Sequence, residues 1–338
     1  MQGQIAMTKK ADISKLVPSE FLPSDDGTNG TIEPEAPATR IERPGIYQLS
    51  NEEYHGGPGV SRSTLWTLFT KTPFHARYGS HKQTKPQRIG DATGVAVLEP
   101  DLFEKKFYRG PIDRRGKKWD AAEEIAKQSG KVALPEREYD EALRIGDAVL
   151  ANPKVRKLLS GQPSIEQSAY AIDEATGELV KVRPDVHNHK LAIQADLKTA
   201  ADASPTAFAA SCADYGYHVQ RAMYPLIWEA AGGGRINAFV FIVVESAAPW
   251  PSAIYELETP AVEEGLEVYR HALDDYHRCM QRERSIRHEN EIKKNQGKEH
   301  LDDAKLEAAI RKVAWPGLPT DVMKIDLPRW GYKLRQPV

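Results

Sequence analysis

The chain has 338 residues, of which 40% are apolar and 28% are charged, and its formal net charge is −2 at neutral pH. This composition is typical of a soluble globular protein, and the near-neutral charge argues against coating of nucleic acid by global charge alone. The two cysteines, Cys212 and Cys279, are too few for a disulfide framework, a four-thiolate zinc site or a four-cysteine iron–sulfur cluster. We expect both to be buried or incidental thiols.

The sequence also gives an expected location. No run approaches the roughly 18 apolar residues that a bilayer-spanning helix needs. The N-terminal MQGQIAMTKK lacks the apolar block of a signal peptide. We therefore expect a cytoplasmic protein with no membrane partner.

The first part of the chain predicts a tail followed by helices. Residues 1–42 are rich in Pro, Gly, Thr and acidic residues, which is typical of a disordered tail, and we expect one domain over 43–338. The strand-like IYQL precedes a glycine-rich loop. Ser61 then provides an N-cap for a helix, and further helices are predicted over 90–99 and 136–159.

The central part predicts strands over 165–172, 178–186 and 191–197, the last two joined across HNHK. A long helix over 207–231 ends at three glycines, and the buried-type strand AFVFIVVE follows. A helix over 260–284 comes next. The strongly charged segment 283–312 predicts either a solvated helix or a mobile segment. This order predicts an α/β or α+β fold with a small mixed central sheet flanked by helices.

The segment RPDVHNHKLAIQADLKT contains the strongest candidates for chemistry. Asp196 and Lys198 are two residues apart on a strand and point to one face, and antiparallel pairing would bring Asp185 beside Asp196. Two carboxylates can hold Mg²⁺, or Mn²⁺, which polarises a phosphodiester and activates a bound water. Lys198 would orient that water or stabilise the developing charge. The alternative is a salt-bridged surface hairpin.

Two further features favour a site. Glu166 lies on the preceding strand-like segment and could add a third carboxylate. Gln220 and Tyr224 are one turn apart on a predicted helix and share a face, where they could contact the lysine or a DNA strand. The alternative for this pair is an ordinary amphipathic helix.

An ordered set of motifs resembles a known nuclease family. The segments LSNEEYHGGPGVSRSTL, VLEP, RPD, DLKTAAD, YGYHVQRAMY and FVFIVVE follow one another between residues 45 and 279. Together they resemble the nuclease domain of RecE-type exonucleases (exonuclease VIII), and PD…DLK resembles the PD-(D/E)xK signature. The resemblance implies a restriction-endonuclease-like core and a Mg²⁺-dependent exonuclease that resects double-stranded DNA ends 5′→3′ in phage-type recombination. It also implies a toroidal tetramer and a single-strand annealing partner of the RecT type.

Gly94 departs from the family pattern. The resemblance implies a metal-binding histidine on the helix before VLEP, and Gly94 occupies that position. Asp91, one helical turn earlier, could complete the metal site with Asp185 and Asp196, because Mg²⁺ keeps several waters. Two functions stay open: a working exonuclease, and a weak or inactive DNA-binding protein that keeps the nuclease fold.

The basic segment 105–119 is the predicted DNA-contacting surface, since basic groups neutralise phosphates and aromatic rings can stack on frayed bases. Phe107, Tyr108 and Trp119 are interleaved with the basic residues. The alternative is a solvated loop. His187 and His189 are expected to be solvent-exposed in a hairpin turn. The basic candidates are Lys105, Lys106, Arg109, Arg114, Arg115, Lys117 and Lys118.

Overall fold

The computed structural model describes residues 43–80 and 84–319, so the predicted tail over 1–42 lies outside the described residues. The described chain forms two compact units. The larger unit comprises residues 43–69, 80 and 84–277, and the smaller unit comprises 70–79 and 278–319. None of the described helices is long and apolar enough to span a membrane. The expectation of one domain over 43–338 stays a prediction.

The strands of the larger unit form three sheets within the described chain. One has the order β1-β6-β7-β2, the second the order β11-β10-β9-β8-β5, and the third pairs β3 with β4. The bounds are β1 Gly45–Tyr47, β2 Val60–Ser61, β3 Phe107–Arg109, β4 Val132–Leu134, β5 Ser164–Ile165, β6 Ser168–Ile172, β7 Leu179–Val182, β8 Val186–Asn188, β9 Ile193–Ala200, β10 Ala238–Glu245 and β11 Ser252–Tyr255.

Helices are distributed along the whole described chain, which gives the mixed α/β class that the sequence predicts. Several begin at a side-chain cap; Thr84, for example, accepts a hydrogen bond from the Gln87 N–H. The bounds are α1 Asn51–Gly56, α2 Arg62–Thr70, α3 Pro73–Tyr78, α4 Lys85–Leu98, α5 Phe103–Lys106, α6 Lys117–Gln128, α7 Glu136–Ala151, α8 Pro153–Leu158, α9 Pro205–Tyr215, α10 Tyr217–Ala230, α11 Thr259–Asn295 and α12 Asp303–Val313.

The five-stranded sheet is covered on both faces. Along β9, Ala195 packs with apolar residues of α4, α7 and α8, whereas Asp196 points to the opposite face, toward α10. Along β10, Ile242 and Phe241 follow the same alternation, and Phe241 packs against α9. Because polar and apolar residues alternate on β9, the sheet buries one apolar face and presents a polar row under α9 and α10.

Helices α9 and α10 connect the parallel strands β9 and β10. The sequence predicted one helix over 207–231, and the structure divides it at Gly216, which has a φ of 69°. A Cβ at this position would lie 2.5 Å from the Trp66 ring, so both the backbone angle and the close packing require glycine. The break turns the chain so that α10 crosses the polar row of the sheet.

The four-stranded sheet packs against α10 and the first half of α11. Val180, Met223, Trp228 and Tyr269 are fully buried in this core, where each large side chain contributes roughly 1.5–3 kcal/mol of burial free energy. The predicted helix stop is confirmed, because α10 ends before the three glycines and Trp228 Nε1 donates to the Gly233 carbonyl at 2.8 Å.

A buried lysine fixes the glycine-rich loop to this sheet. Lys181 on β7 is 4% exposed, and its Nζ donates to the carbonyl oxygens of Tyr54 and Gly57 at 2.6 and 2.7 Å. The same Nζ lies 5.0 Å from the Tyr54 ring centroid. Burial, with a smaller contribution from Arg183, lowers the pKa of Lys181 from 10.5 to about 8.

The smaller unit is organised around one buried carboxylate. Glu283 on α11 accepts from Trp315 Nε1 at 2.7 Å and from Arg287 at 2.9 Å. Burial alone would raise the pKa of Glu283, but these donors and Arg77 outweigh it and lower the pKa. The predicted alternatives for 283–312 were helix or mobile chain, and the end of α11 and most of α12 occupy this segment.

Two other predicted elements are divided in the structure. The strand over 165–172 becomes β5 and β6, which lie in different sheets, because Glu166 between them has a φ of 48°. The helix over 136–159 becomes α7 and α8, and the Asn152 side chain caps the second of them. Cys212 and Cys279 are buried thiols, as the sequence predicted.

We expect Lys181→Met to destabilise the larger unit by about 1–3 kcal/mol, since the carbonyls of Tyr54 and Gly57 lose their buried donor. Between pH 8 and 10.5 the unfolded lysine binds more protons than the folded one, so wild type should gain stability relative to the variant as pH rises through this window. Urea unfolding at several pH values measures both effects. The exposed Lys154→Met is the control, and a pH-independent difference between wild type and Lys181→Met would contradict the account.

Candidate active site

The site begins with the antiparallel pairing of β8 and β9. Val186 pairs with Ala195, so Asp185, directly before β8, faces Asp196 across the two strands. The Leu197 N–H donates to Asp185 Oδ2 at 2.8 Å, which fixes this carboxylate. Asp196 is only 3% exposed, and Asp185 is half-buried. The predicted juxtaposition of the two carboxylates is thus confirmed.

Lys198 points to the same face as Asp196, as the spacing predicted. Its Nζ donates to Asp196 Oδ1 and lies 4.6 Å from the ring centroid of Tyr217. Burial lowers the pKa of Lys198, but the carboxylates of Asp196 and Asp185 outweigh that effect and raise it. The lysine is therefore a permanent cation and hydrogen-bond donor at neutral pH.

The surroundings of the carboxylate pair disfavour the charged form of Asp185. Burial, followed by repulsion from Asp196, raises the pKa of Asp185 well above its ordinary value. Lys198 and the Leu197 N–H act in the opposite direction, and Glu166 adds to the repulsion. Two close carboxylates in this state favour a bound cation.

Glu166 lies beside the pair rather than on a regular strand. Its N–H donates to the Asp185 carbonyl at 3.0 Å, and its carboxylate lies 3.9 Å from Arg183 Nη2. The left-handed backbone at this residue is costly for a side-chain-bearing residue and places the carboxyl group near Asp185. Its predicted role as an assisting carboxylate stays a prediction.

The helix α10 covers the pair with polar groups. Gln220 is buried, and its Nε2 donates to Asp196 Oδ2, so it contacts the aspartate rather than the lysine. Its Oε1 is buried without a hydrogen-bond partner among the described residues. Tyr224 lies one turn later, and burial raises its pKa to about 12. Both side chains thus face the carboxylates as neutral groups.

The position at which the resemblance implies a histidine lies open. Gly94 is on α4, and a Cβ built there would have no heavy atom within 4 Å. Asp91 is exposed one turn earlier on the same helix. Its predicted role as a metal ligand stays a prediction.

The acidic residues present fit a hard divalent cation. Within residues 43–80 and 84–319, no group of three or more His, Cys, Asp or Glu side chains is arranged to hold a metal. Asp185 and Asp196 would provide two oxygen ligands, and Mg²⁺ commonly keeps waters in the remaining positions. Burial and the repulsion from Asp196 disfavour the charged form of Asp185, and a bound cation would offset both effects.

A cleft leads to this site at the end of β9. Its volume is about 570 Å³, and Lys198, Tyr215, Tyr217 and Lys85 line it. Arg62 at the start of α2 adds positive charge that acts on both Lys198 and Tyr217. Its Nη1 donates to the Tyr215 carbonyl at 2.8 Å, whereas its Nε is buried without a partner among the described residues.

The basic segment is partly neutralised. Lys106 pairs with Glu99, Arg109 with Asp140 and Glu136, and Arg114 with Glu123. Asp140 also raises the pKa of Arg109 and has its own pKa lowered by it. The four remaining candidates form no ion pair with the described residues, and these are Lys105, Arg115, Lys117 and Lys118.

Two expectations about side chains were wrong. His187 is buried, 4% exposed, with its ring 4.6 Å from that of Trp228, because it points to the face of the sheet that α10 covers. His189 is exposed, as expected. Trp119 is 3% exposed and packs with Tyr108, Ala126 and Ala133, so it has no free face for a base.

Sequence reasoning assigned no role to Tyr217 or Arg62. Tyr217 is three residues before Gln220 on one helical face, and that spacing could have placed it over Lys198. Arg62 lies within the quoted segment GVSRSTL, but nothing in its local pattern indicates a distance to the carboxylates.

Known proteins provide an independent comparison. Residues 68–293 match the family model described as a PDDEXK-like domain of unknown function (DUF3799). No curated protein matches the chain. Among solved structures, the chain is similar to a protein from Eubacterium rectale named "putative exonuclease", with 15% identity, a TM-score of 0.49, and coverage of 85% of this chain and 99% of that one.

The family match spans more than half of the chain and contains the residues of the site. Asp185, Asp196, Lys198 and Gln220 all lie within the matched residues. The mixed α/β architecture also agrees with this assignment. The chain therefore belongs to the PDDEXK-like family and has its nuclease-like fold.

Proposed function

We propose that this protein is a divalent-metal-dependent nuclease that degrades double-stranded DNA from its ends. The observation that carries the proposal is the carboxylate pair of Asp185 and Asp196 beside Lys198. A bound Mg²⁺ or Mn²⁺ would polarise the scissile phosphodiester and lower the pKa of an attacking water. DNA as the substrate, end-dependent cleavage and the 5′→3′ direction are supported by the resemblance to RecE-type exonucleases.

Each residue of the site has a separate task in this proposal. Asp185 and Asp196 bind the cation, and Gln220 holds Asp196 in place through its amide. Lys198 remains protonated and can donate to the attacking water or to a phosphate oxygen. Glu166 and Tyr224 lie beside these groups and support their charge and orientation.

The resemblance also supports proposals about assembly and context. A closed ring of four copies would hold the duplex during repeated cleavage, and a single-strand annealing protein of the RecT type would receive the exposed strand. A role in phage-type recombination within the cytoplasm is consistent with these proposals.

A second candidate function is that of a weak or inactive nuclease that binds DNA. Gly94 favours it, because the site has one protein ligand fewer than the family pattern implies. A cation held by two carboxylates and water would position the attacking water less firmly.

We expect Mg²⁺ to stabilise wild type by about 2.7 kcal/mol at 100 times its Kd, because only the folded chain brings the carboxylates together. Asp196→Asn should abolish this gain. Lys198→Ala should keep the gain but lower cleavage of linear duplex DNA by about 100-fold or more. Thermal unfolding with and without Mg²⁺, together with a cleavage assay, separates the two effects.

The exposed Asp274→Asn is the matched control and should behave as wild type in both assays. Equal Mg²⁺ stabilisation of wild type and Asp196→Asn would rule out the proposed metal site.

For the position of the missing histidine, we expect Asp91→Ala to lower the cleavage rate by about tenfold or more, as loss of a metal ligand or its outer partner does. Steady-state cleavage of a labelled linear duplex in Mg²⁺ measures the rate. Full activity in Asp91→Ala would show that Asp91 does not complete the site.

The reciprocal variant is Gly94→His, for which the structure offers room. An inactive wild type in both Mg²⁺ and Mn²⁺, with activity restored by Gly94→His, would favour the second candidate function.

We expect Arg115, Lys117 and Lys118, which form no ion pair with the described residues, to contact DNA phosphates. Replacement of Arg115, Lys117 and Lys118 by alanine should flatten the dependence of log affinity on log salt by roughly 0.9 for each lost phosphate contact. Fluorescence anisotropy with a labelled duplex at several salt concentrations measures the slope. Lys154→Ala with Lys157→Ala, on exposed positions of α8, is the control. An unchanged slope in the triple variant would identify the segment as a solvated loop.

A further inference from the structure

An exposed aromatic residue lines the same cleft as the candidate catalytic lysine. Tyr215, the last residue of α9, is 59% exposed and lies at the cleft that reaches Lys198. An exposed tyrosine alone would need no explanation. Because Tyr215 lies beside the candidate active site, its exposed ring is available to a ligand bound there.

Tyr215 is the outer member of a row of three aromatic rings. Its ring centroid lies 5.8 Å from that of Tyr217, with 35° between the planes, and Tyr217 in turn lies 6.0 Å from Phe208 at 28°. Phe208 is buried against the five-stranded sheet. Phe208 is thus covered by protein and Tyr217 is partly buried, whereas Tyr215 has the most exposed ring of the three at the cleft.

The backbone that carries this ring is held in a fixed place. Gly216 adopts a left-handed conformation, and its close contact with the Trp66 ring leaves no room for a larger residue. Arg62 Nη1 donates to the Tyr215 carbonyl at 2.8 Å. A rigid aromatic side chain loses little conformational entropy when a flat ligand stacks on it.

The separations between Tyr215, Tyr217 and Lys198 match the size of a single nucleotide. Tyr217 contacts both Tyr215 and the Lys198 Nζ, the group that would meet a phosphate. A base is joined to its phosphate through a single sugar, so a phosphate near Lys198 brings its base close to these rings. Base–aromatic stacking tolerates any sequence, as cleavage from DNA ends requires.

We propose that Tyr215 is a base-stacking residue that binds the terminal nucleobase of a DNA end at the mouth of the cleft. This inference rests on the proposed nuclease function, since it takes the substrate from there. It makes a separated terminal base, rather than a closed base pair, the preferred ligand of the site.

The test uses the full chain in EDTA, where no cleavage takes place, and a duplex with 2-aminopurine as the terminal base of one strand. Stacking on tyrosine quenches this fluorophore, so wild type should lower its emission at least twofold on binding. Tyr215→Phe should keep the quenching. Tyr215→Ala should lose it and bind a duplex with a frayed end about tenfold more weakly.

Phe69→Ala is the matched control, because Phe69 is 43% exposed and does not line the cleft. It should quench as wild type does. Undiminished quenching by Tyr215→Ala, equal loss in Phe69→Ala, or the absence of DNA binding by wild type would each overturn the inference. If Tyr215→Ala cleaves normally and still quenches, the stacking role is refuted and the nuclease proposal stands. If wild type quenches but never cuts in Mg²⁺ or Mn²⁺, the nuclease proposal is refuted and the stacking role stands.

Discussion

The antiparallel pairing of β8 with β9 is the constraint on which the site depends. It places two aspartates against each other under a covering helix, where burial and mutual repulsion raise the pKa of Asp185. Such an arrangement costs folding free energy, because two like charges are brought together where little water can solvate them. One lysine and one glutamine amide offset part of that cost through Asp196. A bound cation, as proposed above, would offset the remaining cost.

The rest of the larger unit keeps this pair in position. Gly216 turns α10 across the polar row, and the apolar side of β9 is buried against α4, α7 and α8. Lys181 fixes the loop that precedes β2, and α2 follows directly with Arg62 at its start. Structural and candidate functional groups are therefore adjacent in the chain, and substitutions near the cleft will affect stability as well as cleavage.

The sequence predicted the carboxylates and the lysine because a period of two along β9 fixes which residues share a face. It missed the break at Gly216, since an apolar helical pattern continues on both sides. It placed His187 in solvent because HNHK was interpreted as a hairpin turn, and the covering Trp228 is far away in the chain. The sequence also gave no sign of the ion pairs of Arg109, because Arg109 ends β3 and its partner Asp140 is on α7. Contacts between distant segments account for each of these errors.

The central claim is that Asp185 and Asp196 together bind a divalent cation. Crystals grown or soaked with Mn²⁺ test it directly, because anomalous scattering locates that ion independently of the protein atoms. The account predicts one strong anomalous peak within bonding distance of a carboxylate oxygen from each aspartate, and its loss in Asp196→Asn. A peak elsewhere, or none at this pair in crystals saturated with Mn²⁺, would contradict the account.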